Sequence, residues 1–383
     1  MKEILEQHLK TKIIPFWVKL ADYEQGGFFG HVTANHVIEK NADKGLVQQS
    51  RFLWTFSALG NCYHDQKYLE LASHAYLFLK KCFYDHQSRG FMWLSDSNGK
   101  ILDTRLATYG QAFAIYGLSE YYILTGEPEA ARLALETFAK IEEIAFDKKL
   151  FGYHEEFDNK WNMLNSALLS DGIEGVVFTT NTLIHLLEAY TNLYLATKNE
   201  LVKEAILKII QIINDRLYDK DHRSLKMYLN DKYESLSTVR HYGHEIELSW
   251  LLDETMEILN LDNVDWHGLS SNLAKAAVAD GWNGRYLCSL SGDVGQSHIW
   301  WVSSEAMVGI YNLYKKSNDS RYLDYWHRLF QSIAEDLVDP DPEGEWFWSK
   351  EIANGSKINR GMGELWKTPY HNVRAILRLL ERM

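Results

Sequence analysis

The 383-residue sequence has little proline, little cysteine and no long apolar run. Five prolines stand where an average composition would give roughly 19. Proline breaks helix interiors, so long helices meet few interruptions here. No stretch rich in Pro, Gly or Ser and no block of like charge divides the chain. Nothing therefore announces a linker, and one domain over residues 1–383 is expected. The three cysteines, Cys62, Cys82 and Cys288, are odd in number and far apart. They read as reduced core thiols of a cytoplasmic protein rather than a disulfide framework. No apolar run reaches the ~18 residues of a membrane span, and the start Met1–His8 is polar, without a signal-peptide core. Positive charge is also short, with 40 Lys and Arg against 52 Asp and Glu for a net charge of −12. Without a basic stripe, nucleic acid is excluded as the main partner.

Aromatic residues are plentiful: 13 Trp, 22 Tyr and 16 Phe. Their flat faces serve cores and sugar-binding clefts equally well. Helical periodicity runs through nearly the whole sequence, and two kinds of helix alternate. One kind has a single apolar stripe, as in Ala130, Leu133, Ala134, Thr137, Phe138, Ile141 and Ile144. The other is apolar almost all round, as in 46–63 and 178–196, and must be enclosed by protein. The pattern predicts twelve helices in six pairs: 2–20 and 46–63, 66–82 and 107–124, 128–145 and 178–196, 199–217 and 243–259, 268–279 and 299–316, 320–336 and 365–382. Short turns such as Thr125–Pro128 lead from the enclosed helix to the next striped one. Each return runs through a long loop with an aromatic, strand-like piece, for example Gly90–Leu94 or Glu345–Trp348. Long loops without a role are uncommon. The expected fold is all-α, an (α/α)6 barrel of six inner and six outer helices. Long loops and short β-hairpins at one end would form the pocket. An open superhelix of helix pairs is the structural alternative.

Polar residues recur at one end of the enclosed helices: Arg51, Tyr109, Asn181 with His185, His244 with Glu247, Glu305 and His371. Buried ionisable groups are costly unless paired, so six sets converging on one mouth point to a polar pocket. His244 and Glu247 are three apart on one helix, where the carboxylate can orient the imidazole. Thr368-Pro369 reads as an N-cap with Pro at N1, placing His371 in the first turn. The positive end of a helix disfavours imidazolium, which suits His371 as a neutral base. A zinc motif, a phosphate loop and a serine-nucleophile context are missing, so no metal or cofactor is expected. Imidazole and indole without either suit a small neutral sugar and proton transfer near neutral pH.

Tyr109–Tyr122, Asn181–Tyr194, Gly243–Leu252, Trp300–Glu305 and Trp366–Asn372 resemble the N-acylglucosamine 2-epimerase superfamily, most of all its cellobiose 2-epimerases. The resemblance implies an (α/α)6 barrel and epimerisation at C2 of a reducing-end aldose, cellobiose-like or glucose/mannose, without a metal or nucleotide. It also implies pocket roles for Arg51, Asn181, His185, His244, Glu247, Trp301, Glu305, Trp366 and His371, with Tyr109 and Trp250 close by. His371, His244, Glu247 and Arg51 would carry the chemistry; the others would hold the sugar. Leu183, Ser304 and Val373 depart from the usual His, Ala and Gly, which bears on substrate size and preference. An aldose–ketose isomerase shares the same enediolate. An inverting glycoside hydrolase would rely on Glu247 and Glu305, and a sugar- or protein-binding barrel would need no chemistry at all. The expected assembly is a monomer or homodimer.

Overall fold

In the computed structural model, residues 1–165, 168–292, 297–350 and 360–383 are described. The first outer helix consists of α1 (Lys2–His8) and α2 (Ile14–Val18), joined by a π turn at Leu9–Ile13; the first inner helix is α3 (Leu46–Tyr63). Outer and inner helices then alternate as α4 (Gln66–Phe78) and α5 (Thr108–Thr125), α6 (Pro128–Lys140) and α7 (Thr180–Thr197). The remaining pairs are α8 (Glu200–Ile212) and α9 (Tyr242–Leu259), α10 (Val264–Gly281) and α11 (Trp300–Ser317), then α12 (Ser320–Asp336) and α13 (Tyr370–Arg382). Each inner helix packs on the next in the order α3, α5, α7, α9, α11, α13, and α13 returns to α3. The ring is closed, as the six-unit pattern requires. One apolar core runs through it from Leu5 to Leu379.

The loops explain the closure. After the π turns Leu79–Phe83, Ile141–Ala145 and Ile213–Leu217 the chain enters a two-residue strand, which pairs antiparallel with a second strand a few residues on. The other three units reduce this hairpin to single bridges, Ala21 with Phe28, Trp282 with Leu287 and Val338 with Trp346. A second set of pairings links neighbouring units. Lys44–Gly45 pairs with Leu94–Ser95, Leu106–Ala107 with Glu156–Phe157, and Phe178–Thr179 with Tyr228–Leu229. His241 bridges Leu290, Ile299 bridges Ser349, and Gly363 bridges Val32, which joins the last unit to the first. Inner helices read the loops beside them: Gln49 brackets the backbone of Phe28, and Gln111 that of Phe91, with both amide ends.

Three expectations need correction. Cys62 is exposed, and Cys82 and Cys288 are only partly buried where they pack against the core, so the expectation of core thiols fails at Cys62 and holds in part at the other two. The last helix starts at Tyr370, not 365, because Trp366 and Lys367 are held in irregular backbone by Arg51 and by a buried ion pair with Glu345. Pro369 is itself the N-cap, and the Thr368 hydroxyl caps nothing. No helix among the described residues is long and apolar enough to cross a membrane.

The α3–α5 contact depends on Gly117, where an added Cβ would sit 2.8 Å from the Ser50 carbonyl oxygen. Gly117→Ala is expected to cost about 1–3 kcal/mol by overpacking, measured by urea unfolding.

Candidate active site

The inner helices point their N-terminal turns at a single cavity of about 350 Å³, and the loops form its walls. Nine of the eleven residues expected at the site line it: Arg51, Tyr109, Asn181, His185, His244, Glu247, Trp301, Trp366 and His371. Trp250 and Glu305 lie one layer behind, almost fully buried. Trp250 Nε1 donates to Glu305 Oε2 at 3.0 Å, so it braces a carboxylate instead of facing the cavity. Trp300, the first residue of α11, and the loop residues Met227, Tyr228 and Trp348 also line the cavity, and the helix pattern did not single them out.

Arg51 is fixed from both sides. Its Nη1 donates to the Trp366 carbonyl at 2.8 Å and its Nη2 to the Tyr109 hydroxyl at 3.1 Å. Its guanidinium lies 4.4 Å from the Phe113 ring centre and 4.9 Å from that of Tyr370. Trp301 contacts two of the three cavity imidazoles, with ring centres 4.9 Å from His244 and 5.7 Å from His371. Asn181 Oδ1 is buried and accepts no hydrogen bond from the protein, which leaves it as an acceptor for a ligand hydroxyl.

Behind this wall lies a residue that the sequence reading missed. Arg374 is fully enclosed and meets three carboxylates. Its Nη1 donates to Glu188 Oε1, and its Nη2 to Glu247 Oε1 at 2.8 Å and Glu305 Oε1 at 2.7 Å. Glu188 also accepts from Tyr370 and pairs with His185 Nδ1 at 3.0 Å. Glu305 pairs with His371 Nδ1 at 2.6 Å. The expected partnership of His244 with Glu247 is replaced: Glu247 turns to the guanidinium, because a buried carboxylate needs a full opposite charge. The signal was present in the spacing, since Glu188 follows His185 by three residues and Arg374 follows His371 by three.

One cation among three carboxylates leaves excess negative charge in a dry place. Burial, then the Glu305 charge, push Glu247 up to about 7, while Glu305 is raised chiefly by burial. Glu188 is held well below the usual carboxylate range: Arg374 and the His185 bond outweigh its burial. His371 is pushed well below 6.5, first by burial and then by the Arg51 and Arg374 charges. His244 is lowered the same way by burial and by the neighbouring histidines. Desolvation and nearby cations thus supply the neutrality that a helix terminus alone was expected to give. Glu247, Glu305 and His371 offer ligand atoms within 4.8 Å of one another, a spacing that could suit a metal ion. The Arg374 guanidinium already bridges the two carboxylates, so the cation of this cluster is the protein's own.

A closed (α/α)6 barrel with two neutral imidazoles, a fixed guanidinium and indole walls defines an enzyme for acid–base chemistry on an uncharged polyhydroxylated ligand. The N-acylglucosamine 2-epimerase (GlcNAc 2-epimerase) family model matches residues 27–375. Cellobiose 2-epimerase of Dictyoglomus turgidum is 37% identical, over 100% of this chain and 99% of its own, and that of Bacteroides fragilis is 35% identical over 99% and 98%. The solved cellobiose 2-epimerase of Bacillus thermoamylovorans B4167 superposes with a TM-score of 0.95 at 35% identity, covering 100% of this chain and 99% of that one. A D-mannose isomerase structure shares the fold at 19% identity, with a TM-score of 0.86 over 100% of this chain and 98% of that one. The chain belongs to the N-acylglucosamine 2-epimerase family and is an isomerase of the epimerase class.

Proposed function

We propose that this protein interconverts the C2 epimers of a reducing-end aldose, with cellobiose or a similar β-1,4-linked disaccharide as substrate. The observation that carries this reading is a pair of neutral-held imidazoles, His371 and His244, on one cavity beside the Arg51 guanidinium. The sugar ring opens first, the O1–H proton reaching the ring oxygen through His244. The aldehyde at C1 then acidifies the C2–H, and His371 Nε2 removes that proton to leave an enediolate. Arg51 stabilises the charge growing on the oxygens. The proton taken by His371 is released to water while His244 takes one up from water, and His244 delivers it to the opposite face of C2 to give the epimer, so that both imidazoles end neutral. Whole-chain closure through Val32 and Gly363 supports residues 1–383 acting as one catalytic unit.

Incubation with cellobiose in deuterated water tests the reading. The expected product is the C2 epimer, 4-O-glucosylmannose, carrying deuterium at C2. A ketose product would make the protein an aldose–ketose isomerase, and released glucose would make it a hydrolase. The hydrolase geometry is unfavourable, since the Glu247 and Glu305 ligand oxygens lie within 4.8 Å, closer than the roughly 6.5–9.5 Å that inversion needs.

The pH profile follows from the lowered histidines. A base with a depressed pKa stays neutral as the pH falls, so the acid limb of kcat/KM is expected below pH 6.5. Trp366→Ala, which removes a cavity wall but leaves the Arg51 contact to the backbone, is expected to raise KM for cellobiose more than it lowers kcat.

A further inference from the structure

Two cavity histidines on different helices share one arrangement. His185 on α7 and His371 on α13 each turn Nδ1 to a carboxylate, Glu188 Oε2 at 3.0 Å and Glu305 Oε1 at 2.6 Å. Both carboxylates are held by the same guanidinium, that of Arg374, which does not line the cavity. An ionised carboxylate only accepts hydrogen bonds. Each Nδ1 must therefore carry the proton, which leaves Nε2 as the bare nitrogen. Without Arg374 these buried carboxylates would be free to take up protons, and a protonated carboxyl can donate to Nδ1 and reverse the tautomer.

We propose that Arg374 is a positioning residue that sets the tautomers of both His185 and His371, acting through Glu188 and Glu305 so that Nε2 of each faces the sugar. The surrounding contacts fit this role. The guanidinium is clamped between rings, 4.3 Å from the Tyr370 centre and 4.8 Å from that of Trp250. Trp250 and Tyr370 in turn donate to Glu305 and Glu188, so each carboxylate has a third hydrogen-bond partner besides the guanidinium and its histidine. Lysine could supply the charge but not the fork, since one ammonium cannot present paired N–H groups to carboxylates on three helices. The inference rests on the proposed epimerisation for its catalytic meaning, but the tautomers are measurable without any substrate.

The test is two-bond 1H–15N correlation NMR on the full chain labelled with 15N-histidine, free of sugar at neutral pH, with assignments from His185→Asn and His371→Asn. Both histidines are expected as the Nδ1–H tautomer. An Nε2–H tautomer at either one overturns the proposal, whatever the enzyme's substrate proves to be. Glu188→Gln is expected to alter the His185 signals and leave those of His371 in place; a change at both or at neither overturns the shared but branched coupling. Arg374→Lys is expected to give mixed tautomers at both histidines and to lower kcat at least tenfold, with KM within about threefold. Unchanged tautomers and kcat in that variant would also overturn it. If Arg374→Lys does not fold, the wild-type and Glu188→Gln spectra decide the question.

Discussion

Replacing His371 with asparagine is expected to lower kcat by about 10²–10⁴-fold, the usual contribution of a positioned general base. The size follows from the setting. His371 lies on the cavity in the first turn of α13, its Nδ1 committed to Glu305, so only Nε2 remains for the substrate. Burial and two guanidinium charges keep the ring neutral. The asparagine amide can stand in for Nδ1 and still bond Glu305 while lacking the Nε2 edge, so the sugar should bind. Calorimetric titration with cellobiose should give a dissociation constant close to that of the wild type, and circular dichroism should be unchanged. Deuterium wash-in at C2 should fall in step with kcat. Near-normal turnover in this variant would remove His371 from the mechanism.

Lys367→Met is expected to be the most damaging substitution for stability, at about 3–5 kcal/mol. Lys367 and Glu345 are both completely enclosed and pair at 2.9 Å, and the ammonium also donates to the Met362 carbonyl at 3.0 Å. Burial lowers the Lys367 pKa, opposed by Glu345. Glu345 further accepts from Trp17 Nε1 and from Asn372 beside His371. Removing the lysine strands a carboxylate that ties the first outer helix, the last loop and the last inner helix together. Urea unfolding should report the loss. Lys367→Met with Glu345→Gln should recover part of it, since no uncompensated charge is then buried. Equal losses in the single and double variants would mean that shape, not charge, holds this junction.

The two substitutions act on different parts of the fold, and those parts were legible to different degrees. Period 3.6 with alternating striped and enclosed helices was plain in the sequence, because burial on one face or on all faces dictates composition. α12 matches its expected bounds, and α3 does as well. The boundaries that moved depend on side chains acting across space. Asn263 caps the N–H groups of Asp265 and Trp266 and so starts α10 at Val264, four residues before the periodic stripe. The π turns ending the outer helices leave no trace in periodicity, since one wide turn shifts the stripe only after the helix has ended. The position of the site was also legible, because an Arg, His or Glu in an otherwise apolar helix has few reasons to be there. Its inner wiring was not. Helical spacing suggested Glu247 for His244, whereas Arg374, 127 residues away, takes Glu247 instead.

The sequence by itself determined that six helical pairs repeat, which helix of each pair is enclosed, and that polar groups gather at one end of the enclosed set. These follow from local periodicity and from the cost of burying charge, both of which are written along the chain. Only the tertiary structure decided which carboxylate meets which histidine, that Trp250 stands behind the cavity, and that one guanidinium joins three helices. Such partnerships depend on rotamers and distances across a closed ring. Closure returns α13 to α3 and brings Val32 to Gly363, residues that no helical spacing relates.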